Sequence, residues 1–332
     1  MRTRAERVLK NLDAMTKKNA RKAQALRLLS PVVLAVVVAA AGLAAEGVGR
    51  DLQGLPGERP QGHDEGPLAQ FASQVQLVEV YATATDARGE PVIGLSREDF
   101  EVYEDNQLQD VSTFAAGEFP LTVALGVDRS WSMAGDRLRL AKQASQSFLR
   151  ALRPGDRSMV VAINSDAEVI APLTMDRFNQ GRAIDALDPW STTALHDAII
   201  ATLDRLEPES GRQALVVFSD GTDRYSRATG AQVVERARRS NALIYLIAFG
   251  KERPPLLAEL AVVTGGRSFL LRDARDLDKT LADVARELRY QYLLGYSPSD
   301  PIEPAKPEWR SIRVVLKTPG LRVRARDGYM TD

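Results

Sequence analysis

The sequence predicts an α/β fold, a mostly parallel sheet with helices on both faces, joined to a small accessory β domain. Three observations lead there. Between residues 121 and 288, apolar runs of strand length alternate with amphipathic helical stretches, as in a parallel sheet buried on both sides. On either flank, residues 75–114 and 290–326 read as further strands. Of the 332 residues 44% are hydrophobic, enough for a sizeable core, and none is cysteine. That absence excludes a disulfide framework, a thiolate zinc site and an iron–sulfur cluster.

Taken in order, residues 1–27 carry nine basic residues against Glu6 and Asp13, a net +7. The whole chain has 44 basic and 44 acidic residues, so the rest carries −7. An apolar run from Leu28 to Ala45 follows, interrupted only by Ser30, Pro31 and Gly42. A basic stretch, an apolar run and a small-residue exit make a secretory signal. At this length the run is also barely sufficient for an uncleaved membrane anchor. A start at Met15 would shorten the basic part. Residues 1–45 are therefore expected to be a signal peptide or N-terminal anchor. Either reading puts the remainder outside the cytoplasm, periplasmic or secreted, or held at the inner membrane by residues 28–45. Residues 46–73 are rich in Gly, Pro and charge and read as a flexible linker.

Residues 74–118 form the expected accessory β segment. A β-branched run from Val75 to Ala84 is followed by a turn at Asp86–Gly89, a short strand at Pro91–Leu95, a strand at Asp99–Tyr103 and a turn at Glu104–Asn106. Residues 119–289 form the α/β domain. Its expected strands are 121–127, 158–163, 168–171, 213–218, 242–249 and 269–271. The helices between them include one with Leu138, Ala141, Ser145, Phe148 and Leu152 on one face, stopped by Pro154-Gly155. Others are expected at 194–206, 231–239 and 256–263, and the last carries Leu277, Leu281, Val284 and Leu288. Residues 290–332 return to β and are expected to pair with 74–118.

In an open parallel sheet, ligands bind beyond the carboxyl ends of the strands. Three stretches meet that condition: Asp128-Arg-Ser130-Trp-Ser132, Ser191-Thr-Thr193 and Ser219-Asp220-Gly221. Together they supply two carboxylates and several hydroxyls, without imidazole or thiolate. All-oxygen donors suit a hard divalent cation, magnesium before manganese or calcium. Two carboxylates balance a doubly charged ion and leave it able to accept one more anionic oxygen. A carboxylate presented by a partner protein is the natural candidate.

Asp128-x-Ser130-x-Ser132, Thr193 in Thr-Ala-Leu-His-Asp and Asp220 in Phe-Ser-Asp-Gly resemble the metal-ion-dependent adhesion site of the von Willebrand factor type A domain. The resemblance implies a Rossmann-like sheet with one antiparallel edge strand. It also implies that Ser130, Ser132 and Thr193 reach the ion, with Asp128 and Asp220 acting directly or through water. The stretches around Leu77, the Asp86 turn, Leu95–Asp105 and the ending Val323–Tyr329 are similar to a bacterial von Willebrand factor A-related group common in Acidobacteria. Trp131 and His196 depart from that group, which favours a small residue and a Tyr there.

The expected function is thus a cation-dependent docking module with no catalytic residues, no nucleic-acid partner, and membrane contact only through the N-terminal segment. A scaffold with a purely structural ion is one alternative, with Ser132 and Ser191 as ordinary helix caps another reading of the hydroxyls. A metal-dependent hydrolase is less favoured. A phosphoryl-accepting Asp would want a second Asp where Ser130 stands, and no Gly-x-Ser-x-Gly elbow accompanies His196. Trp131, Trp190 and Tyr225 fall in the site loops and are candidate partner contacts. Asp197 and Asp223 are candidates for orienting the ligands from behind.

Overall fold

The computed structural model describes residues 77–117, 119–302 and 306–331. The expected leader or anchor at 1–45 and the linker at 46–73 lie outside the described residues. Among the described residues no helix is long and apolar enough to cross a membrane.

The chain opens with β1 (Val78–Thr85), β2 (Phe100–Glu104), β3 (Gln107–Gln109) and β4 (Val111–Gly117). It continues through β5 (Leu121–Asp128), α1 (Asp136–Ala151), β6 (Arg157–Ile163), β7 (Ala167–Thr174), α2 (Arg177–Asp185) and α3 (Leu195–Leu206). Next come β8 (Arg212–Ser219), α4 (Gly230–Arg238), β9 (Ala242–Phe249), α5 (Pro255–Thr264), β10 (Arg267–Leu271) and α6 (Leu277–Arg289). It closes with β11 (Gln291–Tyr296), β12 (Trp309–Leu316), β13 (Arg322–Arg324) and β14 (Gly328–Met330).

The main sheet has the order β10-β9-β8-β5-β6-β7. Every pair is parallel except β6–β7. All residues of β5, β8 and β9 are buried, because helices cover both faces. Val123, Leu125 and Val127 pack with Phe148, Leu281 and Val284 of α1 and α6. Ala124, Leu215 and Val217 pack with Leu195, Leu203 and Leu260 of α3 and α5. From β5 the chain builds outward through β6 to one side, then returns to add β8, β9 and β10 on the other. This reversal opens a crevice at the carboxyl ends of β5 and β8.

The flanking strands form two further sheets, β13-β1-β11-β4 and β14-β12-β2-β3. They enclose a core of Val80, Phe100, Val102, Leu294, Tyr296 and Ile312. Within it, buried Glu104 accepts from Tyr296 Oη at 2.6 Å and Tyr329 Oη at 2.9 Å, and pairs with Arg310 at 3.0 Å. Such partners offset the cost of burying the carboxylate. These β layers dock at the amino-terminal edge of the main sheet, opposite the crevice. Asp327 N donates to Val263 O at 3.1 Å, and Arg324 Nη1 to Gly266 O at 2.8 Å. Glu287 binds Tyr245 Oη at 2.7 Å and Arg324 at 2.6 Å across this junction. A Cβ on Gly266 would lie 2.0 Å from Ile244 O, so glycine is required there.

Two local expectations are corrected. Pro91–Leu95 is not a strand: only a single bridge joins Pro91 to Thr85, and Gly94 has φ +83°. Proline lacks the N–H that would extend the ladder. Conversely, helix α2 was not expected from the sequence. It carries little apolar periodicity and is held by polar contacts, with the Asp176 side chain accepting from Asn179 N and buried Gln180 accepting from Ser158 Oγ.

Candidate metal centre

Asp128 is the last residue of β5, and Ser219 ends the neighbouring β8. The parallel register sets Val127 beside Phe218, which brings the residues after them together. Asp128 is fully buried. Its carboxylate accepts from Ser130 N at 2.8 Å and from Ser219 Oγ at 2.5 Å. The first bond folds the chain back into a tight turn, Trp131–Met133, that begins directly after Ser130. Buried Met133 pins this turn to the core. The turn brings Ser130 Oγ within 3.0 Å of Ser132 Oγ. Ser130 is buried, whereas Ser132 is exposed.

The second loop lies against the first through backbone bonds. Trp190 N donates to Arg129 O at 2.7 Å, and Trp131 N to Ser191 O at 3.1 Å. Ser191 has φ +62°, a conformation uncommon outside glycine. Thr193 follows, buried to 3% exposure, and Ala194 N donates to Asn164 O at 2.6 Å. The third loop is tied to the second: Arg224 N and Tyr225 N both donate to Thr193 O, at 3.0 and 3.1 Å. Asp220 sits at its start and folds its carboxylate onto Thr222 N at 3.0 Å.

The acidic residues expected behind the ligands hold these loops in place. Helix α3 begins after Ala194, which has no capping side chain. Asp223 supplies the missing acceptor, taking Leu195 N at 2.7 Å and His196 N at 3.3 Å. Its charge also complements the positive end of that helix. Asp197 reaches back to accept from Arg227 N and Ala228 N, both at 2.9 Å. His196 is partly buried, with Nδ1 3.0 Å from Ala228 O. Neither Ser132 nor Ser191 is a helix N-cap: that position is held by Gly135 in α1 and by Ala194 in α3.

Trp131, Trp190 and Tyr225 are 65%, 59% and 65% exposed. One stands on each of the three loops, and each donates its backbone N–H to another of them or to its flank. All three stand exposed on the loops that carry the candidate ligands.

The electrostatics of the site are set by burial and by a neighbouring carboxylate. Burial pushes the Asp128 carboxyl above its ordinary range, bonds from Ser219 and Ser130 pull it back, and the charge of Asp220 raises it again. Among the described residues no Lys, Arg or His forms an ion pair with Asp128 or Asp220. A buried carboxylate near a second carboxylate, with the hydroxyls of Ser219 and Ser130 on the first, is a donor set that a hard cation would complete. Among the described residues no group of three or more His, Cys, Asp or Glu is placed to hold a metal ion, so a cation here would need hydroxyl ligands as well. Ser219, in the sequence only part of an oxygen-rich stretch, is the direct partner of Asp128. Its position one step beyond the apolar run of β8, in register with Asp128, is the signal that marks it.

Residues 123–222 match the family model of the von Willebrand factor type A domain. Human calcium-activated chloride channel regulator 4 is 26% identical over 160 residues, which cover 46% of this chain and 17% of that protein. An uncharacterised protein of Borreliella burgdorferi is 24% identical over 179 residues, covering 46% of this chain and 52% of its own. The chain thus spans about half or less of these curated relatives. A solved von Willebrand factor type A structure from Catenulispora acidiphila covers 79% of this chain and 74% of its own, at 15% identity and a TM-score of 0.48.

Proposed function

We propose that this chain is an extracytoplasmic docking module that captures a partner protein through a bound divalent cation. The observation that carries the reading is the buried Asp128 carboxylate, its pKa raised by burial and by the charge of nearby Asp220, with no cationic side chain among the described residues paired to either, with Ser130 Oγ and Ser132 Oγ 3.0 Å apart on the next turn and with Thr193 buried on the adjoining loop. Magnesium is the first candidate, with manganese and calcium as alternatives. Two carboxylates neutralise the ion, and the hydroxyls are neutral ligands that leave room for one outside oxygen. A carboxylate side chain of the partner fills that position. The exposed Trp131, Trp190 and Tyr225 then supply apolar contact, as aromatic anchors do in many interfaces. Placement outside the cytoplasm rests on the basic and apolar N-terminal segment.

The competing reading is a scaffold in which the ion is structural. Capture of partner proteins on immobilised chain, with magnesium or with chelator and with wild type or Asp128→Ala, separates the two. Docking through the ion requires that capture be lost with chelator and with the variant. A structural ion would leave capture unchanged at temperatures where both proteins stay folded. N-terminal sequencing of the membrane-bound or secreted product tests the placement.

A further inference from the structure

We propose a second docking surface, independent of the cation site: the β10 edge of the main sheet receives an extended acidic segment of a partner protein as an added strand. Strand β10 stands last in the sheet order, paired with β9 on one side only. Alongside it runs a groove of about 780 Å³, bounded by α5 and by β12 and β13. The opposite edge of the sheet is guarded. Strand β7 contains Pro172, and its pairing with β6 is broken by register shifts, both devices that block strand addition. Strand β10 has no proline and pairs regularly over its full length.

The chemistry of the groove selects the occupant. Five arginines line it, Arg253, Arg267, Arg313, Arg324 and Arg326, against one acid, Asp327. Glu287 engages Arg267 and Arg324 from within, and Asp327 engages Arg238. Arg253 and Arg313 are exposed, and neither forms an ion pair with a carboxylate among the described residues. Arg313 instead lies over the Tyr103 ring at 4.0 Å. Between the charges the wall is apolar, with Val262 70% exposed beside Phe269, Val314 and Val323. Along β10, Phe269 and Leu271 belong to the α1–α6 layer while Leu270 belongs to the α5 layer. A strand added there continues both layers with alternate side chains. Carboxylates in such a segment meet the arginines. A second copy of the same edge would bring arginines against arginines, which disfavours self-pairing.

The test uses the full chain and a labelled peptide, Thr-Glu-Val-Glu-Val-Glu-Val-Thr, read by fluorescence anisotropy. A counterpart with Lys for Glu and one with alternate backbone amides N-methylated serve as probes of charge and of strand pairing. The acidic peptide is expected to bind, and Arg253→Glu with Arg313→Glu together should weaken it by about tenfold or more. The other two peptides should fail. Chelator and Asp128→Ala should leave this binding unchanged, so failure here is distinct from failure of the cation site. Equal binding of acidic and lysine peptides, or retention of affinity in the double variant, would overturn the proposal. So would binding of none of them, or a dimer in solution that the double variant dissociates.

Discussion

Replacing Asp128 by Asn separates what this carboxylate does for the fold from what it does for a cation. Asn is isosteric. Its Oδ1 can still accept from Ser130 N, and its amide can donate to Ser219 Oγ, which rotates to accept. What disappears is a buried charge beside Asp220. In a domain of this size each kcal/mol of such relief raises Tm by about 2–4 °C. In chelator, Asp128→Asn should therefore melt above wild type. With cation at 100 times its dissociation constant, wild type gains about 2.7 kcal/mol, or about 5–10 °C, and the variant gains little. The order of the two melting temperatures thus inverts between chelator and cation. The pH dependence follows in sign. A carboxyl whose folded pKa is raised stabilises the fold most below its unfolded value of about 3.9, and that contribution is lost as pH rises through the folded value. Apo wild type should show this slope and Asp128→Asn should lack it. With cation present the trend opposes it, because protons compete for the carboxylate. Circular dichroism melts of both proteins in magnesium and in chelator are sufficient. If the variant melts below wild type in chelator, or wild type gains nothing from millimolar cation, the reasoning is refuted.

Three further outcomes are expected. Glu287→Ala should lower stability by about 3 kcal/mol, because it removes the shared acceptor of buried Tyr245 and of Arg324. Tyr245→Phe should cost only about 1 kcal/mol, and urea midpoints that reversed this order would contradict the assignment. Gly266→Ala places a methyl 2.0 Å from the Ile244 carbonyl oxygen and should cost about 3 kcal/mol or more by the same measurement, since backbone cannot give way as a side chain does. Trp131→Ala, at a 65% exposed position, should stay within about 0.5 kcal/mol of wild type while weakening partner capture. A large loss of Tm would instead assign the indole a packing role.

How much of this was legible in the sequence depends on what stabilises each part. Strands β5, β8 and β9 are buried on both faces, so their residues had to be apolar almost without interruption. The amphipathic helix α6 was readable for the same reason, through Leu277, Leu281, Val284 and Leu288. Helix α2 was not, because its buried residues are only Gln180 and Ile184. Its position is fixed by partners on β6 that no local pattern announces. Strand β14 has only three residues, too few for any periodicity. Pro91–Leu95 misled because Val92 and Ile93 look strand-like while the neighbouring proline and glycine decide the backbone. At the site, the side chains after the strands were legible from position. The bonds that stitch the loops, such as Tyr225 N to Thr193 O, use the backbone and leave no trace in residue type. Ser219 shows the limit between the two, since only the register of β5 on β8 reveals what it touches.

The pairing of Gly117 with Gln291 places the entry to the main α/β domain beside its exit. The β layers are assembled from chain on both sides of that gate, β1 to β4 before it and β11 to β14 after it. During synthesis, then, the main sheet is complete by the time α6 emerges, while of the first four strands only β2 and β3 have each other to pair with. The inserted domain can fold while its host waits. A load applied to a partner held in the crevice would likewise leave the domain through two adjacent antiparallel strands, β4 and β11. The hydrogen bonds between those two strands would not bear that load if it pulled both away together, and it would fall instead on the layers they belong to.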